Sequence, residues 1–281
     1  MVMDCEDKIE QLDPSLFVLP SQTTLEDRTS LLRLQRFLRQ RIDSYCYLEV
    51  GSHLGGSLLP HLADSRCIWA VSIDPRPQGQ PDERGRLFYY DANSTARMID
   101  NIREHLSDAH LSKLQTFDKD AVAVLMSDIQ HKADLALIDG EHTNVATFSD
   151  FVSIFPMLAE DAVIAFHDAH IITAAIQNAE RFLTYSGIRF RTVFLPDNVA
   201  AIGLRRLAEP LIASVGDAAL DRDKFVADAS RRLQSAVAME VLARDERDLP
   251  FRTVAAYFSW RVVNEVAFRA SRLYRRLWRS R

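Results

Sequence analysis

Two short runs hold acids and imidazoles at spacings that suit proton transfer or ion binding. Asp134-Leu135-Ala136-Leu137-Ile138-Asp139-Gly140-Glu141-His142 closes an apolar stretch with a carboxylate and, three residues on, a histidine. Val163-Ile164-Ala165-Phe166-His167-Asp168 closes another with the same two residue types. An imidazole, with a pKa of about 6.5, exchanges a proton near neutral pH, and carboxylates hold hard cations. If Asp139, His142, His167 and Asp168 meet, they can activate a poor nucleophile such as an aliphatic hydroxyl. Taken singly each has a plainer reading: Asp139 as the cap of a turn, His142 as the start of a helix, His167-Asp168 as partners for backbone donors at a strand end. His53 and His170 are secondary candidates, with surface or capping roles as the plainer alternative.

A third run, Glu49-Val50-Gly51-Ser52-His53-Leu54-Gly55-Gly56, reads as a strand ending in a glycine turn that opens a helix. Such a turn aims backbone N–H groups at whatever lies beyond the helix start, and small residues allow close approach. Its Gly51-x-x-x-Gly55 spacing differs from the Gly-x-Gly-x-x-Gly of dinucleotide sites. About twenty residues on, Asp74 ends a second apolar run, where a carboxylate can accept hydrogen bonds from both hydroxyls of a ribose.

The elements that must position these residues alternate. Leu31, Leu32, Leu34, Phe37 and Leu38 recur at helical spacing within 25–42, with Thr24 or Asp27 available as caps, and predict a leading helix. Strands are predicted at 46–50, 67–73, 114–117, 133–139, 162–167, 190–195 and 200–204. Helices are predicted at 56–62, 93–106, 121–129, 145–158 and 171–186, and Pro75 to Gly85 reads as a surface loop. This alternation specifies an α/β fold: a Rossmann-like, doubly wound, mostly parallel sheet of seven strands, with its ligand beyond the carboxyl ends of the strands. Gly51, Asp74, Asp118, Asp139 and His167-Asp168 all fall at such ends. The expected organisation is an N-terminal helical segment (1–44), the ligand-binding domain (45–207) and a C-terminal helical appendage (208–281), helical over 225–244 and 254–277.

Composition narrows the function classes. The 281 residues are 47% hydrophobic and 26% charged, ordinary values for a globular chain able to bury a sizeable core. The net charge of −5 is uneven, because 261–281 holds seven arginines against the single acid Glu265. The acidic remainder argues against nucleic acid as a partner. Cys5, Cys46 and Cys67 lack metal-ligand spacing and suit a reducing cytoplasm. The stretch from Met1 to Asp13 shows no secretory pattern, and no apolar run is long enough to span a bilayer. Trp260, Val263, Val266, Ala267, Ala270, Leu273, Tyr274 and Leu277 form an apolar stripe largely surrounded by arginines. Residues 260–281 therefore either touch an anionic membrane surface peripherally, at the inner face, or pack on their own domain or on a second copy in a homo-oligomer.

The segment Leu48-Glu49-Val50-Gly51-Ser52-His53-Leu54-Gly55-Gly56-Ser57, followed by Val71-Ser72-Ile73-Asp74, resembles the first two motifs of class I S-adenosylmethionine-dependent methyltransferases. Ile138-Asp139-Gly140-Glu141-His142 and His167-Asp168 resemble the Ile-Asp-Gly-x-His and His-Asp signatures of a family within that class that includes metal-dependent sugar and macrolide O-methyltransferases. The resemblance spans roughly 45–204 and implies a cofactor site of Glu49, Gly51, Ser52, Gly55, Asp74 and Asp118. In it, Glu49 and Gly51 lie near the methionine portion, Asp74 at the ribose and Asp118 near adenine, with Lys119 or Asp120 as substitutes for Asp118. It further implies His142 as base beside Asp139, and magnesium held by Asp139 and Asp168, with His167 standing where some relatives place an acidic ligand.

The reading that follows is transfer of a methyl group from S-adenosylmethionine to a hydroxyl of a sugar, glycan or other polyhydroxylated acceptor, assisted by Mg2+. A catalytically inactive scaffold of the same fold, attached to a membrane or partner through its basic tail, is the competing class. An NAD-dependent oxidoreductase is disfavoured by the glycine spacing and by the lack of a Tyr-x-x-x-Lys pair.

Overall fold

Side chains alternate along each central strand between two apolar layers, and that alternation requires helices on both faces of the sheet. The computed structural model describes residues 5–245. In chain order these are α1 (Cys5–Gln11), α2 (Leu25–Arg39), β1 (Tyr45–Val50), α3 (Leu58–Ala63), β2 (Cys67–Ile73), β3 (Gly79–Pro81), β4 (Leu87–Tyr89), α4 (Thr95–Arg103), α5 (Asp108–Leu111) and β5 (Leu114–Phe117). They continue with β6 (Ala133–Ile138), α6 (Asn144–Ile154), β7 (Leu158–Phe166), α7 (Thr173–Tyr185), β8 (Phe190–Phe194), β9 (Ala200–Leu204), α8 (Ala208–Val215) and α9 (Arg222–Asp245). Residues up to Gln234 form one unit, which contains the whole sheet; from Ser235 a second begins, described as far as the end of α9.

The seven strands of the main sheet lie in the order β5-β2-β1-β6-β7-β9-β8. Strands β5, β2, β1, β6 and β7 pair in parallel, and β9 runs antiparallel between β7 and β8. This is the expected Rossmann-like, mostly parallel sheet. One face packs Leu48, Val50, Val71, Ile73, Ala136, Ile138, Ile164 and Phe166 against α6 and α7. The other packs Tyr45, Tyr47, Ala70, Leu135, Leu137, Val163 and Ala165 against α2, α3 and α8. Each of the Val, Leu, Ile and Phe side chains contributes roughly 1.5–3 kcal/mol by leaving water.

The leading helix forms where expected, and its start is a reciprocal cap. Thr24 Oγ1 accepts from the Asp27 N–H at 3.1 Å and Asp27 Oδ2 from the Thr24 N–H at 3.0 Å. Two segments differ from expectation. Residues 121–129 are not one helix but two 3-10 turns, at Ala121–Ala123 and Met126–Asp128, because the Asp128 carboxylate takes the Leu125 N–H that a helix would need. The Pro75 to Gly85 loop contains β3, which pairs with β4 as a hairpin. Buried Asp82 closes that turn by accepting from the N–H groups of Arg84 and Arg86. Leu211 and Val215 of helix α8 sit in the apolar layer that covers the sheet. The expected helix at 254–277 and the arginine-rich segment 260–281 lie outside the described residues. No described helix is long and apolar enough to cross a membrane.

Candidate active site

The carboxyl ends of β1, β2, β6 and β7 open onto one cavity, because those strands are parallel and β1 lies between β2 and β6. Val50, Gly51, Ser52, His53, Gly56, Asp74, Asp120, Asp139, His142 and His167 contribute to its lining. Gly51 has φ +88°, a conformation that L side chains rarely adopt, and a Cβ there would lie 2.1 Å from the Asp139 carbonyl oxygen. The two strand ends touch through bare backbone, reinforced by the Asp139 N–H donating to Val50 O at 2.9 Å. Ser52 is buried against the cavity with its hydroxyl oxygen unpartnered by protein.

Asp74 ends β2 and is 3% exposed. Its Oδ2 accepts from the His53 N–H at 2.8 Å and its Oδ1 from the Arg76 N–H at 2.8 Å, so the carboxylate is fixed at the cavity wall. Glu49 and Gly55 lie behind the lining. Glu49 is fully buried, accepts from the Tyr47 and Ser57 hydroxyls, and is pushed by burial up to about 8 against the opposing effect of those bonds. A Cβ on Gly55 would sit 2.9 Å from Ile102 Cδ1, so that glycine serves the packing of α4. Asp118 does not line the cavity; its carboxylate is more than half exposed, bonds the Thr95 hydroxyl, and lies 3.9 Å from Arg76 Nε. Asp120 lines the cavity in its place. Asp150, in the second turn of α6, joins it, and burial together with Asp120 and Glu141 raises its carboxyl to about 7.

Asp139, His142 and His167 converge. Asp139 Oδ1 lies 3.1 Å from His142 Nε2 and 2.9 Å from His167 Nδ1. Burial alone would push the Asp139 carboxyl up, yet the two imidazoles hold it far below the usual carboxylate range. Burial likewise opposes charge on both rings, and the facing carboxylates overcome it: both imidazoles are raised, His167 well above the ordinary value. The outer nitrogen of each ring faces a further acid. His142 Nδ1 is 3.2 Å from Asp168 Oδ2, and His167 Nε2 is 3.2 Å from Asp27 Oδ2. Asp168 adopts φ +51°, and Asp27 is 0% exposed. Burial pushes the Asp27 carboxyl up, but the His167 bond and the Thr24 and Asn198 N–H groups bring it down to about 2. The ligating atoms that gather within 4.8 Å of one another among the described residues belong to Asp139, His142 and His167; Asp168, expected in the ion-binding set, stands outside that group. One oxygen and two nitrogens do not match magnesium, which prefers oxygen donors. His170 Nδ1 lies 3.8 Å from Asp168 Oδ1 and does not line the cavity, whereas His53 does, with its ring edge-on to Tyr90.

Sequence reasoning missed Asp27 and Asp150 as parts of this site. Asp27 reads as a helix cap, and it is one; nothing local announces its bond to a histidine 140 residues away.

Residues 48–169 match the family described as a methyltransferase domain. The chain carries a class I, S-adenosylmethionine-dependent methyltransferase domain. Among solved structures the methyltransferase resembles the O-methyltransferase NovP, with a TM-score of 0.53, 14% identity, and coverage of 65% of this chain and 82% of that one. It is also similar to the calicheamicin methyltransferase CalS11, with a TM-score of 0.47, 18% identity, and coverage of 72% and 94%. A third is the S-adenosylhomocysteine-bound methyltransferase PaMTH1 of Podospora anserina, with a TM-score of 0.45, 13% identity, and coverage of 72% and 87%. At these identities the likeness is one of fold. No curated protein matches the chain.

Proposed function

We propose that this methyltransferase alkylates an oxygen, on a hydroxyl of a small polyhydroxylated acceptor such as a sugar or glycan. The observation that carries the reading is the placement of Asp139, His142 and His167 on the same cavity as the glycine turn and Asp74. A sulfonium methyl is electrophilic enough for direct attack, so the difficulty lies with the acceptor: an aliphatic hydroxyl must lose its proton as the O–C bond forms and the C–S bond breaks. An acid and imidazole cluster is suited to that task, whereas an already nucleophilic amine would have little use for it. NovP and CalS11, an O-methyltransferase and a calicheamicin methyltransferase by their descriptions, are consistent with this choice.

In this reading the Gly51–Gly56 turn, whose Gly51, His53 and Gly55 N–H groups are bonded within the protein, meets the amino acid end of S-adenosylmethionine through its close backbone approach and the unpartnered Ser52 hydroxyl. Asp74 accepts from the ribose hydroxyls, and Asp120 lies at the adenine end. Glu49 acts from behind, holding the Ser57 hydroxyl and the turn. Activation of the acceptor is assigned to Asp139 and His142. A cation at the cluster suits the same chemistry, since it lowers the pKa of a bound hydroxyl. The test is methyl transfer from labelled S-adenosylmethionine to a panel of sugars, catechols and amines. Turnover confined to amines, or binding of NAD with no response to S-adenosylhomocysteine, overturns the proposal.

A further inference from the structure

Asp150 sits four residues after Ala146 in α6, so the two share one face of the helix, and both line the cavity. Among the described residues no N–H or hydroxyl donates to its carboxyl oxygens. The groups that face it carry the same sign. They are Asp120, exposed just before the 3-10 turn that packs on α6, and Glu141, three residues beyond β6, which accepts from the Thr143 hydroxyl at 2.7 Å. Helix α7, also packed on α6, adds no charged group. A cation does not answer this crowding, because the three carboxylates do not bring oxygens within 4.8 Å of one another, as a shared ion would need. A proton does: with its carboxyl lifted to about 7, Asp150 is a neutral acid below that pH. The backbone makes room for it, since a Cβ on Gly140 would lie 3.1 Å from Asp150 Oδ2 and the glycine lets the carboxyl stand against the strand end.

A protonated carboxyl group offers an O–H donor and a C=O acceptor side by side. Adenine presents the complement: its exocyclic amine donates, and a ring nitrogen next to it accepts. A carboxylate would meet the amine alone and set an anionic oxygen against the lone pair of the ring nitrogen. Asp150 also stands where a flat ring fits. Asp74 ends β2, its neighbour β5 leads on to Asp120, and Pro75, Ala121 and Ala146 supply apolar lining between them. We infer that Asp150 recognises the adenine ring of S-adenosylmethionine as a neutral acid, donating its O–H to a ring nitrogen and accepting from the exocyclic amine. The inference rests on the methyltransferase reading and adds to it a specificity-determining residue with a built-in pH dependence. The domain match over 48–169 spans every residue named in the argument and calls for a nucleoside cofactor independently of the acids, and Ser52, 2% exposed, adds an unpartnered hydroxyl to the same lining. Affinity for the cofactor is then full below pH 7 and fades as pH rises through it, because the form that makes both bonds is the protonated one.

The experiment is calorimetry of the full chain with S-adenosylhomocysteine between pH 6 and 8.5, beside Asp150→Asn and Asp150→Ala, and with two analogues in which C–H replaces N1 or N7 of the adenine. The parent should lose at least about 10-fold in affinity across that range. An Asn side chain keeps one donor and one acceptor at every pH, so Asp150→Asn should bind about 10-fold more tightly than the parent at pH 8.5, with that part of the pH dependence gone. At pH 6 Asp150→Ala should bind about 10-fold more weakly than the parent. One of the two analogues should bind the parent about 10-fold more weakly than S-adenosylhomocysteine does, a difference that Asp150→Ala should erase. A single pH profile shared by the parent and Asp150→Asn, an Asp150→Ala chain that binds as the parent does at pH 6, or both analogues binding the parent as tightly as S-adenosylhomocysteine overturns the inference. In those cases binding by the parent leaves the methyltransferase reading standing, whereas a parent chain that binds S-adenosylhomocysteine at no pH sinks that reading and the role of Asp150 with it.

Discussion

Asp74 and Asp118, both placed at the cofactor from sequence, offer a contrast that affinity can settle. Asp74 is fixed at the cavity wall and Asp118 faces solvent. Replacing Asp74 with Ala removes charged acceptors from the proposed ribose position and should weaken S-adenosylhomocysteine by roughly 10–100-fold, whereas Asp118→Ala should leave it within about twofold, both by calorimetry. At the cluster, Asp139→Asn and His142→Ala should each lower kcat by about 100-fold or more, with S-adenosylhomocysteine binding retained; full turnover in both removes the roles assigned to them. Glu49 predicts a pH effect. Burial lifts its carboxyl to about 8, so between the unfolded value near 4.5 and that point the folded chain holds a proton that the unfolded chain has lost. The resulting stability is fully present below about 4.5 and fades as pH rises through 8. Raising the pH of the ligand-free protein from 6 to 8.5 should therefore lower Tm by roughly 5 °C, and Glu49→Gln should remove that part of the dependence.

Helix α2 carries a double duty at the level of elements. Asp27 caps the helix and anchors His167, so Asp27→Ala forfeits a cap of about 1 kcal/mol and leaves the Nε2 of a buried imidazole without its carboxylate, a loss expected to exceed about 3 kcal/mol by chemical denaturation. Much of the element pattern was legible. The strands at Cys67–Ile73, Leu114–Phe117 and Ala200–Leu204 form with the predicted ends, since continuous apolar runs bounded by turn residues leave few alternatives. What escaped was set by single side chains acting on the backbone: Asp128 breaking a helix into turns, and Asp82 closing a hairpin inside a polar stretch. Periodicity averages over a window and is blind to one carboxylate. The site shows the same division. Residues at strand ends follow from topology, but Asp27 reaches the cluster only through packing of α2 on the sheet, which local pattern does not encode.

For the molecule as a whole, every residue of the cavity precedes Gln234, as does the entire sheet. A chain ending at Gln234 should fold and bind S-adenosylhomocysteine within about twofold of the full chain, and loss of binding would show that the later residues complete the site. The order of the strands brings β1 and β6 side by side, and at Gly51 their ends meet without a side chain between them. Substituting Ala for Gly51 should cost more than about 2 kcal/mol, through a conformation it resists and a collision with the Asp139 carbonyl. The deeper consequence concerns how such a protein changes its diet. On the proposed reading, the distance from methyl donor to activating group is written in peptide planes, so the walls that recognise an acceptor can be rebuilt residue by residue while the line of attack stays where it was.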